Sequence, residues 1–261
     1  MPKQRIFSSS RTIIFGFAAM IIVGTLLLML PFSSKSGTVT PFLDCLFTAT
    51  SSSCVTGLVV HDTATHWSLF GQIVILVMIQ IGGMGIVTMS ILAVMLSGKR
   101  VNLTQRSTMQ ESISAHKVGG IIQLSRFIII TSLVIELFGA IAFSFVFCRD
   151  YGFFKGIWMS VFHSISAFCN AGFDLMGEIA KFSSLTSYVY NPIINITVML
   201  LIIIGGIGFL TWDDLKTNKL KHDDFILVNK LLRSLDQKNQ SHKVLRGIEK
   251  RFISIKKQYQ R

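Results

Sequence analysis

The sequence has few charged residues for its length. Only 15% of its 261 residues are charged and 51% are hydrophobic, whereas a soluble domain carries about 25% charged residues. This deficit, beside 21 Phe and 11 Met, argues against a water-facing globule, a disordered chain or a doubly wound cofactor enzyme. The four cysteines show neither zinc spacing nor a close pair, so we interpret them as small apolar side chains. They are Cys45, Cys54, Cys148 and Cys169.

The sequence also lacks the combinations of residues that enzymes need. No nucleophile is paired with a base, and no set of side chains has metal-ligand spacing. The serines at positions 51–53 and 164–166 have no matching His and acid, so we expect them to satisfy the ends of short helices. His163 is expected to pack or to form a hydrogen bond rather than to hold a cofactor. We therefore predict no enzyme activity, no catalytic residue and no cofactor.

Long apolar runs are the main feature that the sequence does have. Residues 12–30, 69–96 and 188–212 contain no charged side chain, and residues 127–148 contain only Glu136. A membrane-spanning helix needs about 20 apolar residues, because lipid offers no partner to backbone polar groups. We predict four membrane-spanning helices. Glu136 is then either a functional group or a carboxylic acid whose hydrogen bonds are satisfied between helices.

The basic residues predict how these helices are oriented. Of 25 Lys and Arg residues, 21 lie in the N-terminal segment, the central linker and the C-terminal tail, which four spans place on one side. By the positive-inside rule that side is the cytoplasm. We predict a multi-pass protein of the cytoplasmic membrane with both termini inside. The net charge of +12 is then explained without nucleic acid.

One pattern occurs twice in the sequence. Residues 47–58 match residues 162–173 at an offset of 115, and residues 81–88 match residues 204–211 at an offset of 123. The eight-residue difference between the offsets corresponds to a longer loop after Asp174. Each copy therefore reads as a span, a short apolar segment and a second span.

The short segments, residues 41–52 and 156–168, have 12 and 13 residues, or about 18–20 Å as helix. This is too short to cross a bilayer, so we expect them to be re-entrant. The polar, glycine-containing stretch after each of them favours irregular backbone, which membranes tolerate where it lines a watery cavity. The C-terminus of a helix carries partial negative charge, and backbone carbonyl oxygens can replace the hydration shell of a cation. Since neither stretch contains a basic residue, we expect the cavity to bind a cation.

These motifs resemble the Trk/Ktr potassium-uptake membrane subunits, the TrkH/KtrB family, over about residues 10–215. Residues 54–60, 69–76 and 80–85 are similar to the first repeat of that family, and residues 162–173 to its second. The resemblance implies an all-α membrane protein made of helix–pore loop–helix repeats, with potassium as the transported ion, often linked to sodium. It also implies a cytosolic nucleotide-binding regulatory subunit as partner. By resemblance, the backbone carbonyls of a selectivity filter come from Cys54, Val55, Thr56, Gly57, Cys169, Asn170, Ala171 and Gly172.

The predicted organisation has four parts. Residues 1–98 form the first span–pore loop–span repeat, 99–126 a cytoplasmic linker, 127–212 the second repeat and 213–261 a basic tail. Apolar residues at helical spacing in the tail predict an amphipathic helix that binds lipid or a partner, or else a solvated tail.

The family has four such repeats and this sequence has two. We expect either a fragment of a longer protein or a half-pore that pairs with a second copy or with the missing half. A non-conducting membrane fragment that only assembles with other subunits is the alternative function. A transporter of organic solutes would need polar ligands near the membrane midplane, and apart from Glu136 none is visible.

Overall fold

The computed structural model describes residues 9–85, 88, 121–178, 180–208 and 211–212. Most of the predicted linker and all of the predicted tail lie outside these residues, and with the tail the predicted amphipathic helix. The chain divides into two compact units, Met1–Leu210 and Thr211–Arg261. The described residues of the first unit are helical and contain no β-strand, apart from one isolated bridge between Ser34 and Trp67.

The order of long helix, short helix and long helix occurs twice in this unit. The α-helices of the described residues are α1 (Ser9–Leu28), α2 (Phe42–Ser53), α3 (Thr63–His66), α4 (Leu69–Met84), α5 (Ile121–Tyr151), α6 (Phe153–Phe168) and α7 (Pro192–Ile207). In the first helix group α1, α2 and α4 pack together, in the second α5, α6 and α7 do so, and α4 contacts α6 across the two groups. Short 3₁₀ turns at Pro31–Ser33 and Ser184–Tyr188 lie in the connections.

Capping side chains determine where the third helix of each group begins. Ser68 accepts a hydrogen bond from the backbone N–H of Gly71 at the start of α4. Asn191 accepts from the first N–H groups of α7, which has Pro192 in its first turn. Such caps satisfy amides that have no partner inside the helix, so each apolar helix starts at a defined polar residue.

The exposed surface of the long helices is apolar. Gln123–Tyr151, within α5, is long and apolar enough to cross a membrane, while the apolar helices Ile13–Leu28, Leu69–Met84 and Pro192–Ile207 are shorter. Large side chains such as Phe138, which is 68% exposed, lie on these outer faces. Apolar surface of this extent is rare on soluble monomers. The all-helical fold is therefore consistent with a membrane protein.

Two helices end inside the apolar runs that predict them. The apolar runs at residues 69–96 and 188–212 predict unbroken helices, but α4 and α7 end immediately before Gly85 and Gly208. These glycines have φ values of +82° and +91° and occupy equivalent positions. An α-helix cannot continue through this backbone conformation, which glycine adopts readily. The second run also begins later as helix than predicted, at Pro192. Apolar composition therefore did not determine helix length.

An aromatic cluster holds the second helix group together. The ring of Phe147 on α5 is fully buried and lies 5.6 Å from Phe143, 5.3 Å from His163 and 5.4 Å from Tyr188 between centroids. Lipid offers no hydrophobic driving force between helices, so van der Waals packing of this kind carries much of their association. The cluster holds α5 against α6, which precedes the site.

Candidate functional site

Two short segments without helix or strand follow the short helices. Segment 1, residues 54–57, follows α2, and segment 2, residues 169–172, follows α6. Together they contain all eight residues predicted to bind the ion. The last turns of α2 and α6 lead directly into them, so the partial negative charge of a helix C-terminus lies beside each segment.

The two segments have the same backbone conformation. Val55 and Asn170, which are equivalent by sequence, have left-handed φ values of +57° and +58°. Gly57 and Gly172 follow with +75° and +73°. A non-glycine residue in this region costs roughly 1–2 kcal/mol. Its occurrence at both equivalent positions indicates that the surrounding structure imposes one conformation on both segments.

Hydrogen bonds hold the N–H groups of the first three residues of each segment but leave the carbonyl groups open. The N–H of Thr56 donates to Ser51 O at 2.9 Å, and that of Ala171 donates to Ser166 O at 2.7 Å. Within the described part of the chain, no N–H or O–H donates to a carbonyl oxygen of either segment. Unpartnered backbone carbonyls are uncommon in proteins unless water or an ion satisfies them. These oxygens are therefore available to a ligand.

The two segments touch each other at their glycines. A Cβ atom built on Gly57 would collide with the carbonyl oxygen of Ala171 and would lie 3.3 Å from Cα of Gly172. A Cβ on Gly172 would lie 3.7 Å from Cα of Gly57. The structure thus brings predicted residues from both repeats side by side, and at Gly57 it leaves no room for a side chain.

Side chains support the two segments differently. In segment 1 the Thr56 hydroxyl bonds to Ser51 Oγ at 2.9 Å. After segment 2, Ser166 Oγ donates to the carbonyl of Phe173 at 2.6 Å, and His163 Nε2 accepts from the N–H of Leu175 at 3.2 Å. Serines were expected to satisfy the ends of short helices. In the structure Ser51 and Ser166 instead bond to groups in or next to the segments.

Glycines in the third helix of each group allow the short helices to approach closely. A Cβ on Gly82 would collide with the carbonyl oxygen of Ser53, the last residue of α2, and a Cβ on Gly205 would collide with that of Phe168, the last residue of α6. The obstacle is backbone in both cases, so a side chain here would displace a segment.

Glu136 has a partner from the other helix group. Gln80 Nε2 on α4 lies 2.9 and 3.0 Å from the two carboxylate oxygens of Glu136 on α5. Glu136 is only 4% exposed. Ser164 on α6 also donates to the backbone carbonyl of Glu136 at 2.6 Å. Of the two alternatives left by the sequence, the structure favours a carboxylic group satisfied between helices. No signal in the sequence identified Gln80 as its partner, because 56 residues separate the two.

Two further contacts join the helix groups, and the second of them lies at segment 2. Trp158 Nε1 on α6 donates to Gln72 Oε1 on α4 at 2.8 Å. A Cβ atom built on Gly83 of α4 would lie 2.8 Å from the Cβ atom of Cys169 and would collide with that side chain. The first residue of segment 2 is therefore packed against the first helix group.

Asp62 links the loop between α2 and α4 to the loop between α6 and α7. It caps α3 by accepting from Ala64 N and Thr65 N at 3.0 and 2.9 Å, and its other oxygen accepts from Phe182 N at 2.9 Å. The carboxylate is 6% exposed, and a Cβ on Gly177 would collide with it. This residue was not predicted from the sequence, although an Asp before Thr-Ala-Thr is a recognisable cap signal.

Charged side chains in and next to the connecting loops are paired or partly buried. Glu178 contacts Lys155 and, at 3.6 Å, Lys35, which joins the two groups. The hydrogen bond from Lys155 and the charges of both lysines hold the pKa of Glu178 below its usual value. Burial raises the pKa of Asp174, which follows segment 2. In the described residues, no three His, Cys, Asp or Glu side chains are arranged to hold a metal ion.

Comparison with known proteins identifies the family. The sequence matches the TrkH family, described as a cation transport protein, over residues 5–252. The chain belongs to this family. It is 43% identical over 200 residues to the potassium/sodium uptake protein NtpJ of Enterococcus hirae, an alignment that covers 77% of this chain and 43% of the relative.

Two Ktr proteins are similar as well. The Ktr system potassium uptake protein B of Bacillus subtilis is 41% identical over 226 residues, 87% of this chain and 49% of the relative. The protein of the same name from Vibrio alginolyticus is 36% identical over 204 residues, 78% and 43% of the two chains. The chain therefore spans about half the length of the curated relatives it matches. The resemblance drawn from the motifs is confirmed, and with it an integral membrane family of cation transporters, a non-enzymatic class of function.

Proposed function

We propose that this protein moves potassium ions across the cytoplasmic membrane as a membrane subunit of a Trk/Ktr uptake system. The observation that carries the proposal is the pair of segments whose carbonyl oxygens have no partner among the described residues and which meet at Gly57 and Gly172. Such oxygens replace the hydration shell of a dehydrated cation.

In this proposal the eight residues of segments 1 and 2 form half of a selectivity filter. Each helix group then acts as a span, pore loop and span. Neither segment contains Lys or Arg, and the C-terminal ends of α2 and α6 favour positive charge. An anion would need helix N-termini or basic side chains at this place, so the surroundings support a cation.

The names of the relatives support potassium as the transported ion, and the name of NtpJ also includes sodium. We propose potassium as the main substrate and sodium as a second or coupling ion. Passage needs no cofactor in this scheme, because backbone oxygens and helix dipoles stabilise the ion. Both termini lie in the cytoplasm, where a nucleotide-binding regulatory subunit docks.

A further part of the pore covers the free face of α7. Ile79 and Leu76 of α4 are 0% and 8% exposed, while their equivalents on α7, Ile202 and Met199, are 42% and 53% exposed. The second helix group covers the α4 face, and nothing in the described residues covers that of α7. Two segments cannot surround an ion, so we propose that a second copy, or the second half of the family's pore, supplies two more.

Flux through liposomes tests this proposal. Purified chain is reconstituted in potassium-loaded vesicles, and efflux is followed with a potassium electrode against sodium and rubidium gradients, before and after crosslinking in the lipid. We expect potassium flux above empty vesicles that is carried by the crosslinked assembly. Gly57→Ser and Gly172→Ser should weaken potassium-over-sodium discrimination.

Gly37→Ser is the matched control, since Gly37 also has a positive φ of +69° but has no atom within 4 Å of a built Cβ. It should leave discrimination unchanged. Flux with unaltered discrimination in both segment variants would contradict the filter assignment. Flux from strictly monomeric chains would contradict the proposed assembly. No cation flux from monomer or assembly would support the alternative, a non-conducting membrane fragment.

A further inference from the structure

His163 uses both ring nitrogens in hydrogen bonds. Nδ1 lies 2.7 Å from the carbonyl oxygen of Met159, and Nε2 lies 3.2 Å from the backbone nitrogen of Leu175. A carbonyl only accepts and an amide N–H only donates, so the hydrogen must be on Nδ1 and the lone pair on Nε2. The side chain is 3% exposed. One tautomer therefore satisfies both partners.

The equivalent residue of the first group, Thr48, makes half of this arrangement. Its hydroxyl donates to the carbonyl of Asp44 at 2.9 Å, which matches the bond from His163 to Met159. A threonine has no second polar atom to reach further, and the residue equivalent to Leu175 is Val60. Val60 is 42% exposed, whereas Leu175 is 5% exposed.

Segment 2 consequently has an anchor on either side of its glycine. Before Gly172, the N–H of Ala171 donates to Ser166 O, and after it, Leu175 N–H is held by His163. Ser166 Oγ additionally holds the carbonyl of Phe173. In the first group, the backbone bonds of segment 1 lie before Gly57. Among the described residues, the stretch after Gly57 is tied to α2 through a side chain instead, since His61 Nε2 lies 2.9 Å from Asp44 Oδ2 and no backbone N–H there is held.

There is space for segment 2 to move if this anchor is lost. A cavity of about 230 Å³ adjoins the segment and is lined by His163, Ser166, Asn170, Gly172, Asp174 and Ile202, among others. On the side away from the cavity, the centroid of the His163 ring lies 5.3 Å from that of the Phe147 ring. The histidine is therefore fixed on the helix side and faces a space into which the segment can shift.

We infer that His163 is a positioning residue that determines the carbonyl orientation of segment 2 and thereby its ion selectivity. The inference rests on the proposed function. The ring does not touch the ion, but acts through the backbone of Leu175 and the residues between it and Gly172. It also makes the two segments unequal, with segment 2 the more rigid.

His163→Thr is the decisive variant, because it places the residue of the first group in the second. It keeps a donor for Met159 O and removes the bond to Leu175. We expect potassium-over-sodium discrimination in vesicles to fall about fivefold, as for the loss of one hydrogen bond. His163→Gln retains one donor and one acceptor and should recover most of the discrimination. Thr48→Ala, which removes the matching bond in the first group, is the control and should change it less than about twofold, since its bond lies within one helix.

The tautomer is tested separately by ¹⁵N NMR of histidine-labelled protein in nanodiscs. We expect His163 to show one protonated and one bare nitrogen, with the proton on Nδ1, unchanged between pH 6 and pH 8. A proton on Nε2, exchange between tautomers, or unaltered discrimination in His163→Thr with a wild-type thermal midpoint would each overturn the inference. If His163→Thr does not fold, the His163→Gln result decides. Absence of flux in the wild type would instead refute the proposed function. The NMR experiment would still report whether His163 holds the backbone of Leu175, because that measurement does not depend on flux.

Discussion

Segments 1 and 2 have nearly the same backbone but different neighbours. Their positive-φ residues agree within two degrees in φ. Yet Cys54, which begins segment 1, is exposed, while Cys169, which begins segment 2, is packed against Gly83 of the other helix group. The conformation of each segment is thus set inside its own group, by the short helix before it. Its burial is set by whichever group lies next to it.

A large loss of stability is expected from Gly82→Ala and from Gly205→Ala. Each methyl group would meet the last backbone carbonyl of a short helix, and overpacking against atoms that cannot rotate away costs about 1–3 kcal/mol. Because both contacts lie within a group, the two variants should lose similar stability in denaturant titrations. If the losses of unfolding free energy in the two variants differ by more than about 1 kcal/mol, which is the lower end of the expected loss for either variant, the two helix groups are not packed equivalently.

The glycines of the segments should differ from each other. Alanine at either position is strained at positive φ by about 1–2 kcal/mol, but at Gly57 it also meets Ala171 O, while at Gly172 the nearest atom is 3.7 Å away. We expect Gly57→Ala to be the more destabilising variant in thermal unfolding. Equal losses would mean that the segments are farther apart than described.

Gly83 and Gly206 sharpen the comparison at the boundary between groups. A methyl group on Gly83 would press on Cys169, whereas on Gly206 it meets a single atom at 4.0 Å. Replacing an unhindered helical glycine by alanine gains about 0.5–1 kcal/mol. Gly206→Ala should therefore be neutral or stabilising for the isolated chain, and Gly83→Ala destabilising. If Gly206→Ala weakens only the crosslinked assembly, a partner covers this face.

Thiol labelling measures the same asymmetry at the two native cysteines themselves. In detergent, a maleimide should modify Cys54 at least about tenfold faster than Cys169, the factor that corresponds to an opening cost of about 1.4 kcal/mol. Single-cysteine versions with the other three positions as serine make the rates comparable. Similar rates would show that Cys169 is not held against α4, and protection of Cys54 in lipid would indicate a covering partner.

The smallest effect is expected for Glu178→Gln. Since the pKa of Glu178 is lowered in the folded protein, the ionised group stabilises the fold above its unfolded pKa of about 4.3 and loses this contribution as pH falls through the folded value. The carboxylate is 41% exposed, so the loss at pH 7 should stay below about 1 kcal/mol. High salt, or a pH below the lowered pKa of Glu178, should remove the difference between variant and wild type; a difference that persists there would have another origin.

Local patterns in the sequence predicted α2 closely and α6 approximately. Helix α2, Phe42–Ser53, lies within one residue of the predicted segment 41–52. Helix α6 begins at Phe153, three residues earlier than predicted. The irregular segments after both helices were also expected, because polar and glycine-containing stretches at these positions favour turns.

Longer-range features could not be predicted in this way. The ends of α4 and α7 depend on backbone angles at Gly85 and Gly208 inside runs of uniform hydropathy, where composition carries no signal. The links from Asp62 to Phe182 and from Gln80 to Glu136 join residues 120 and 56 positions apart. Neither partner is identified by any local pattern.

The amino-acid order alone determined that this is an apolar helical protein with a duplicated element in which a polar, glycine-containing stretch follows each short segment, while the choice of eight filter residues came from the family resemblance. It could do so because hydropathy, turn preference and self-similarity are properties of neighbouring residues. The tertiary structure alone decided that the two segments meet at Gly57 and Gly172, that Glu136 faces Gln80 and that His163 holds Leu175. Those outcomes depend on how close two backbones approach, which is settled only when the helices pack.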